Sequence, residues 1–213
     1  MYLPKHFEEN DLTVLHQLLR AHPLAALVTF DGAGLAVNHL PLLLDPAAGA
    51  CGTLRGHVAR ANTVWQKISC DVESVAIFQG PEAYISPSWY PGKHQHGKAV
   101  PTWNYAVVHT HGFPRAIEDK EWLLAHVSAL SDVHEAGQAV PWKVSDAPAD
   151  FIDSMLEAIV GIEMPIVRIT GKWKVSQNRP SSDRLGVVAG LGSRQESGAQ
   201  SMAALVRQAM NAP

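Results

Sequence analysis

The chain has 213 residues, 46% hydrophobic and 17% charged, enough to bury one large core with an appended helical piece. A formal charge of −3, a pI near 6.4 and no run of five or more basic residues exclude a dominant electrostatic footprint for nucleic acid. Cys51 and Cys70 fit neither a zinc pair nor a disulfide framework. With no basic leader and no long apolar run, the expectation is a soluble, cytoplasmic protein without membrane association.

In chain order, "NDLTVLHQLLRAHP" sets Leu12, Leu15, Leu18 and Leu19 at helical spacing, with Asn10 or Asp11 as cap and Pro23 as stop. "LAALVTF" and "LAVNHLPLLLD" flank "DGAG", a hairpin signal. "GTLRGHVA", "VESVAIFQG" and "EAYIS" read as further strands, and "RANTVWQKIS" as a short helix capped by Asn62. "PSWYPGKHQHGKAVP", punctuated by prolines and glycines, reads as a loop and a candidate functional edge. The run "KAVPTWNYAVVHTHG" predicts one long strand, Lys98 to Gly112, continuing through "FPRAIE".

Helical spacing returns from Asp119 to Glu135 and in "PADFIDSMLEAIV", followed by extended "GIEMPIVRITGKWKVSQN". "SSDRLGVVAGL" and "AQSMAALVRQAMN" complete the chain as helices, with polar "GSRQESGAQS" as a flexible hinge. Hairpin strands with helices at the margins predict a mainly β antiparallel barrel with α decoration, not a doubly wound sheet. The expected organisation is a domain over 1–192 with a helical insertion around 118–158, then a helical tail over 193–213.

Several motifs carry candidate chemistry. In "LRGHVARAN", Arg60 and Asn62 stand where a helix begins, which suits a phosphate; a paired surface arginine with Asn62 as N-cap explains the same residues. Asn38 and His39 interrupt an apolar strand and must be paired or face a ligand. Alternation puts Thr102 and Asn104 on one face and Trp103 and Tyr105 on the other, a combination that a planar heteroaromatic ligand with polar edges requires and that a packed edge strand also permits. In "GKWKVSQNRPSSD", Lys172 and Lys174 share one face and Trp173 takes the other, followed by Ser176, Gln177, Asn178 and Arg179; this cluster either closes a pocket against a phosphate or ring edge or forms a solvated turn capping the helix at Asp183. The spaced pairs His94/His96 and His109/His111 lack an evident third ligand, so solvent-facing or interface histidines are expected and no metal. No nucleophile elbow, Walker loop or paired acidic motif supports hydrolysis.

Taken together, "GHVARAN", "AYISPSWY", "KAVPTWNYAVVHTHG" and "KWKVSQNR" resemble the PaiB family of FMN-binding negative transcriptional regulators, over nearly the whole chain. The resemblance implies an FMN-binding split barrel, homodimeric, with flavin in a groove between subunits and a link to repression of protease and sporulation genes. It places Asn38, His39, Arg60, Asn62, Lys98, Thr102, Trp103, Gln177 and Asn178 around FMN, joined by His57 from the same "GHVARAN" block. The implied function is a dimeric FMN-binding regulator. The alternative is a flavin-dependent oxidoreductase, and haem binding through His39 or His57 is a third reading. DNA contact lacks a helix-turn-helix pair with a basic recognition helix.

Overall fold

The computed structural model describes residues 1–211, apart from the side chains of His94, Gln95 and His96; the paired-histidine reading of His94 and His96 therefore lies outside the described residues. Chain order is β1 (Glu8–Glu9), α1 (Leu12–Ala21), β2 (Leu24–Phe30), β3 (Leu35–Pro41), β4 (Leu43–Asp45), β5 (Thr53–Ala59), α2 (Val64–Lys67) and β6 (Ser74–Ile85). It continues with α3 (Pro91–His96), β7 (Thr102–Gly112), β8 (Arg115–Ile117), α4 (Lys120–Glu135), α5 (Ala149–Glu157), β9 (Ile159–Lys174), α6 (Ser181–Gly192) and α7 (Ser197–Asn211). The strands run in the order β3-β2-β6-β7-β9-β5-β4, with β1 and β8 also pairing with β9. β2 is antiparallel to β3 and β6, and β5 to β4 and β9.

The chain divides into two compact units. Met1–Leu18, Gln79–Val108 and Thr170–Pro213 make the first; Leu19–Phe78 and His109–Ile169 make the second.

In the second unit the β2–β3 hairpin forms because Asp31 Oδ1 accepts from Ala33 N and Gly34 N, both at 3.0 Å, while Gly32 takes φ +84°. Gly56 on β5 lets the chain after β3 cross closely: a Cβ there would stand 2.7 Å from Leu42 Cδ2 and 3.0 Å from Pro41 O. Leu27, Leu40, Leu54, Val58, Phe78, Val160 and Ile162 are buried as its core. Asp119 caps α4 by accepting from Trp122 N at 2.7 Å. Glu163 on β9 lies opposite both Arg55 and Arg115 in the ladders and accepts from both side chains. Burial pushes its carboxyl up, and the two arginines more than offset that, holding it below its ordinary value.

In the first unit, Asp11 Oδ1 accepts from Thr13 N at 2.8 Å and starts α1, as the capping pattern predicts. Ile85, Tyr90, Val175, Val187 and Leu191 form one buried cluster with Ala199, Met202, Ala203 and Val206 of α7.

Four local readings of the sequence are corrected. "VESVAIFQG" and "EAYIS" belong to one strand, β6; Gly80 within it is closely approached, a Cβ there standing 2.8 Å from Leu18 Cδ1 and 3.1 Å from Ala106 O. The proline-rich loop contains a 3-10 turn, Pro87–Trp89, and the helix α3, with Ser86 Oγ accepting from Ser88 N and Gly97 at φ +68° closing the helix. The long strand starts at Thr102 and stops at Gly112, β8 being separate. The polar hinge shrinks to four residues, 193–196, since α7 begins at Ser197. Among the described residues no helix is long and apolar enough to cross a membrane.

Candidate functional site

The residues singled out above fall in both units, and each set is described within its own. In the second unit, Asn38 stands opposite Leu27 on β3, half-buried, and its Oδ1 accepts from Asn62 Nδ2 at 2.8 Å. Asn62 Oδ1 in turn accepts from Val64 N at 3.1 Å and opens α2. The two asparagines thus brace the turn between β5 and α2. His39, one residue on, points to the opposite face and is exposed.

Arg60 fastens the end of β5 to the corner between α5 and β9. Its Nε donates to Glu157 O at 2.7 Å, Nη2 to Ile159 O at 3.1 Å and Nη1 to the Glu118 carboxylate at 2.5 Å. Carbonyls at a helix C-terminus attract a cation, so α5 holds this guanidinium. Trp65 completes the lock by donating Nε1–H to Arg60 O at 3.0 Å. Two of the five guanidinium N–H groups remain.

His57 meets a partner that spacing did not single out. Its Nδ1 lies 3.1 Å from Nε2 of His126, and Trp122 stacks on the His126 ring at 5.2 Å. His126 is 4% exposed, and its Nδ1 has no hydrogen-bond partner. Burial lowers both imidazoles, His126 to about 4, with the charges of His57 and Arg55 adding to the effect on His126. His126 was visible in the sequence as one member of the apolar face of α4; nothing there marked it as the ring beside His57.

In the first unit, Thr102, Trp103 and Lys174 come together. Lys174 Nζ donates to Thr102 Oγ1 and, at 2.6 Å, to Trp103 O. Trp103 is 47% exposed, donates Nε1–H to Glu82 and meets Tyr84 edge-on at 6.0 Å. Asn104 is fully buried and donates Nδ2–H to Ser176 Oγ at 2.9 Å, leaving its Oδ1 without a partner. Ser176 sits at φ +70°, a left-handed conformation that costs a non-glycine residue. Gln177 holds that turn: its Oε1 accepts from Val175 N at 2.8 Å and its Nε2 donates to Trp173 O. Asn178 follows, exposed, and Lys98 is exposed before β7.

Burial lowers the pKa of Lys174 first, and the two charged groups that act most on it, Lys172 and Arg179, are both cations and lower it further. Lys172 is itself buried, donating to Tyr2 O at 3.0 Å with its ammonium 5.3 Å from the Tyr105 ring centre. Arg179 lies 4.9 Å from the Tyr90 ring centre. Among the described residues none of these three cations has a carboxylate within ion-pair distance. Such a set accommodates an anion. The unpartnered Asn104 carbonyl oxygen adds an acceptor suited to a hydroxyl or ring N–H. Among the described residues no three His, Cys, Asp or Glu side chains gather as metal ligands.

Comparison with known proteins meets this geometry. A family model described as "Putative FMN-binding domain" matches residues 1–168. An uncharacterized protein of Emericella nidulans is 31% identical over 243 aligned residues, covering 98% of this chain and 97% of that one. The protease synthase and sporulation protein PAI 2 of Bacillus subtilis is 29% identical, covering 97% and 96%. Among solved structures, the flavocytochrome Anf3 of Azotobacter vinelandii superposes with a TM-score of 0.59 at 12% identity, over 81% of this chain and 72% of that one, a likeness of fold. The antiparallel sheet with marginal helices agrees with a family match over most of the chain: it belongs to the PaiB family of FMN-binding domains and has their split-barrel fold.

Proposed function

We propose that this protein is a homodimeric FMN-binding regulator of repressor type, in which flavin occupancy biases the dimer between two states of unequal affinity for its target. The observation that carries the flavin reading is the cation set of Lys172, Lys174 and Arg179, none of them ion-paired among the described residues, with Lys174 donating to Thr102. In this reading Lys174, Thr102 and Arg179 hold the phosphate, and Asn104 Oδ1 accepts from a polar edge of the ligand. Trp103 supplies an exposed aromatic wall, while Gln177 keeps Ser176 in place. FMN, when bound, supplies one- or two-electron redox chemistry, and the protein supplies position and field. Lys98 and Asn178 join this set on the family resemblance; in the second unit Asn38, His39, Arg60 and Asn62 keep their FMN assignment on that resemblance alone, and His57 does not, because its ring pairs with His126 and lines a separate apolar pocket.

Support for the regulator comes from the Bacillus relative, whose name ties it to protease synthesis and sporulation, along the full length of the match. Exposed Leu35 and Val37 on β3, at one end of the strand order, support self-association. A flavin-dependent oxidoreductase is the second reading, favoured by the lowered pKa of Lys174, which makes it a more ready proton donor than an ordinary lysine.

The experiment is the visible spectrum of the purified protein after FMN addition and desalting. Wild type retains the flavin band and Lys174→Ala loses it; equal retention by both overturns the site. For the retained complex, salt-sensitive and sequence-selective DNA retention without NADPH consumption supports the regulator. NADPH consumption without DNA retention supports the oxidoreductase.

A further inference from the structure

A second pocket lies wholly within the second unit. It has a volume of about 490 Å³ and is walled by α4, α5 and the start of β9, with Trp142, Phe151, Ile152, Met155 and Ile159 among its apolar lining. That volume falls in the range of small-molecule sites, about 300–1,000 Å³. Phe151 is 53% exposed and Trp142 44%, so aromatic surface stands in water at the rim.

Two polar groups interrupt the apolar lining, the His57 imidazole and the Ser131 hydroxyl. His57 Nδ1 is engaged by His126 Nε2, and among the described residues no hydrogen bond to His57 Nε2 is seen, so Nε2 is the ring atom open to a ligand. No charged side chain lines the pocket, so a phosphate or carboxylate entering it would lose hydration with nothing in exchange. The donor set beside Lys174 has the opposite character, and the two sites therefore select different ligands. A hydroxyl both donates and accepts, and so matches His57 Nε2 in either tautomer of the histidine pair.

We propose that this cavity binds a neutral aromatic alcohol of two or three fused rings, its rings against Trp142, Phe151 and Met155 and its hydroxyl on His57 Nε2. This effector site is additional to the flavin site and does not depend on it.

Calorimetric titration of the full chain with 2-naphthol, and in parallel with naphthalene, tests the assignment. 2-Naphthol binds saturably, and naphthalene, which lacks the hydroxyl, binds about tenfold more weakly, the worth of one hydrogen bond. His57→Leu brings 2-naphthol down to the affinity of naphthalene. Phe151→Asp, at an exposed rim position that folding tolerates, removes both, with an unchanged far-ultraviolet circular dichroism spectrum as control. Saturating FMN leaves the 2-naphthol affinity unchanged. The proposal is overturned if 2-naphthol does not bind, if the two probes bind equally, or if FMN displaces 2-naphthol. It is also overturned if Phe151→Asp dissociates a dimer, because the rim is then an interface between copies of the chain.

Discussion

Asn104 on β7 donates to the hydroxyl of Ser176 at 2.9 Å, tying the strand to the left-handed turn that ends β9. Both residues are buried, so Asn104→Ala leaves Ser176 Oγ without its donor in a dry environment. The expected loss is about 1–3 kcal/mol of unfolding free energy, read from urea titration. Ser176→Gly gives up the same hydrogen bond but relieves the backbone at φ +70°, and destabilises less. Equal losses for the two variants would show that the turn carries no strain.

In the proposed flavin site, Lys174 is expected to set the affinity and its pH dependence. Lys174→Arg keeps the cation and retains FMN better than Lys174→Ala, measured by fluorescence quenching of the free flavin. A bound phosphate favours the charged ammonium, so affinity falls as pH rises through the pKa of Lys174. Burial and the cations Lys172 and Arg179 place that pKa below the ordinary lysine value. The decline therefore starts at a less alkaline pH than a solvent-exposed lysine gives, and Lys174→Arg abolishes it in that range.

Arg60 separates stability from binding. Its guanidinium carries the α5–β9 corner through Glu157 O, Ile159 O and Glu118. Arg60→Ala lowers the unfolding free energy by about 1 kcal/mol, discounted for partial exposure. If its two remaining N–H groups also serve a phosphate, FMN affinity drops by more than that stability loss accounts for. A purely structural Arg60 leaves the affinity of the folded protein unchanged.

The buried histidine gives an acid-side signature. The folded pKa of His126 lies near 4, against a model-peptide value of 6.5. A lowered histidine pKa means the unfolded chain binds the extra proton first. His126 therefore contributes fully above pH 6.5, and the contribution is lost as pH falls from 6.5 to about 4. The span amounts to about 3 kcal/mol. His126→Phe reduces the slope across that window, the remainder including His57, which burial also lowers, and leaves the lower-pH loss from Glu163, whose carboxyl is held below its ordinary value by Arg115 and Arg55. An unchanged slope in His126→Phe would show that another group titrates there.

Sheet and helix positions were legible where one physical signal dominated. The Asp11 cap, the "DGAG" turn and the helical spacing of α4 and α5 all act within a few residues. The continuity of β6 through Gly80 and Pro81 was not; there α1 and β7 approach Gly80 closely, a long-range contact that spacing does not reveal. The candidate residues show the same divide. Lys172 and Lys174 shared a face by alternation, but their lack of acidic partners is a property of the folded surroundings. The pairing of Asn38 with Asn62, 24 residues apart, is likewise invisible to spacing, as is that of His57 with His126.

The division of β6, β7 and β9 between two units bears on how the chain is made. The second unit is complete in sequence once Ile169 has left the ribosome, whereas the first needs the segment from Thr170 onward. Its N-terminal β1, at Glu8–Glu9, must wait for Gly171 and Lys172 of β9 before its backbone finds a partner. During vectorial synthesis the N-terminal strand is thus made first and paired late, a long-range closure of the kind that slows folding.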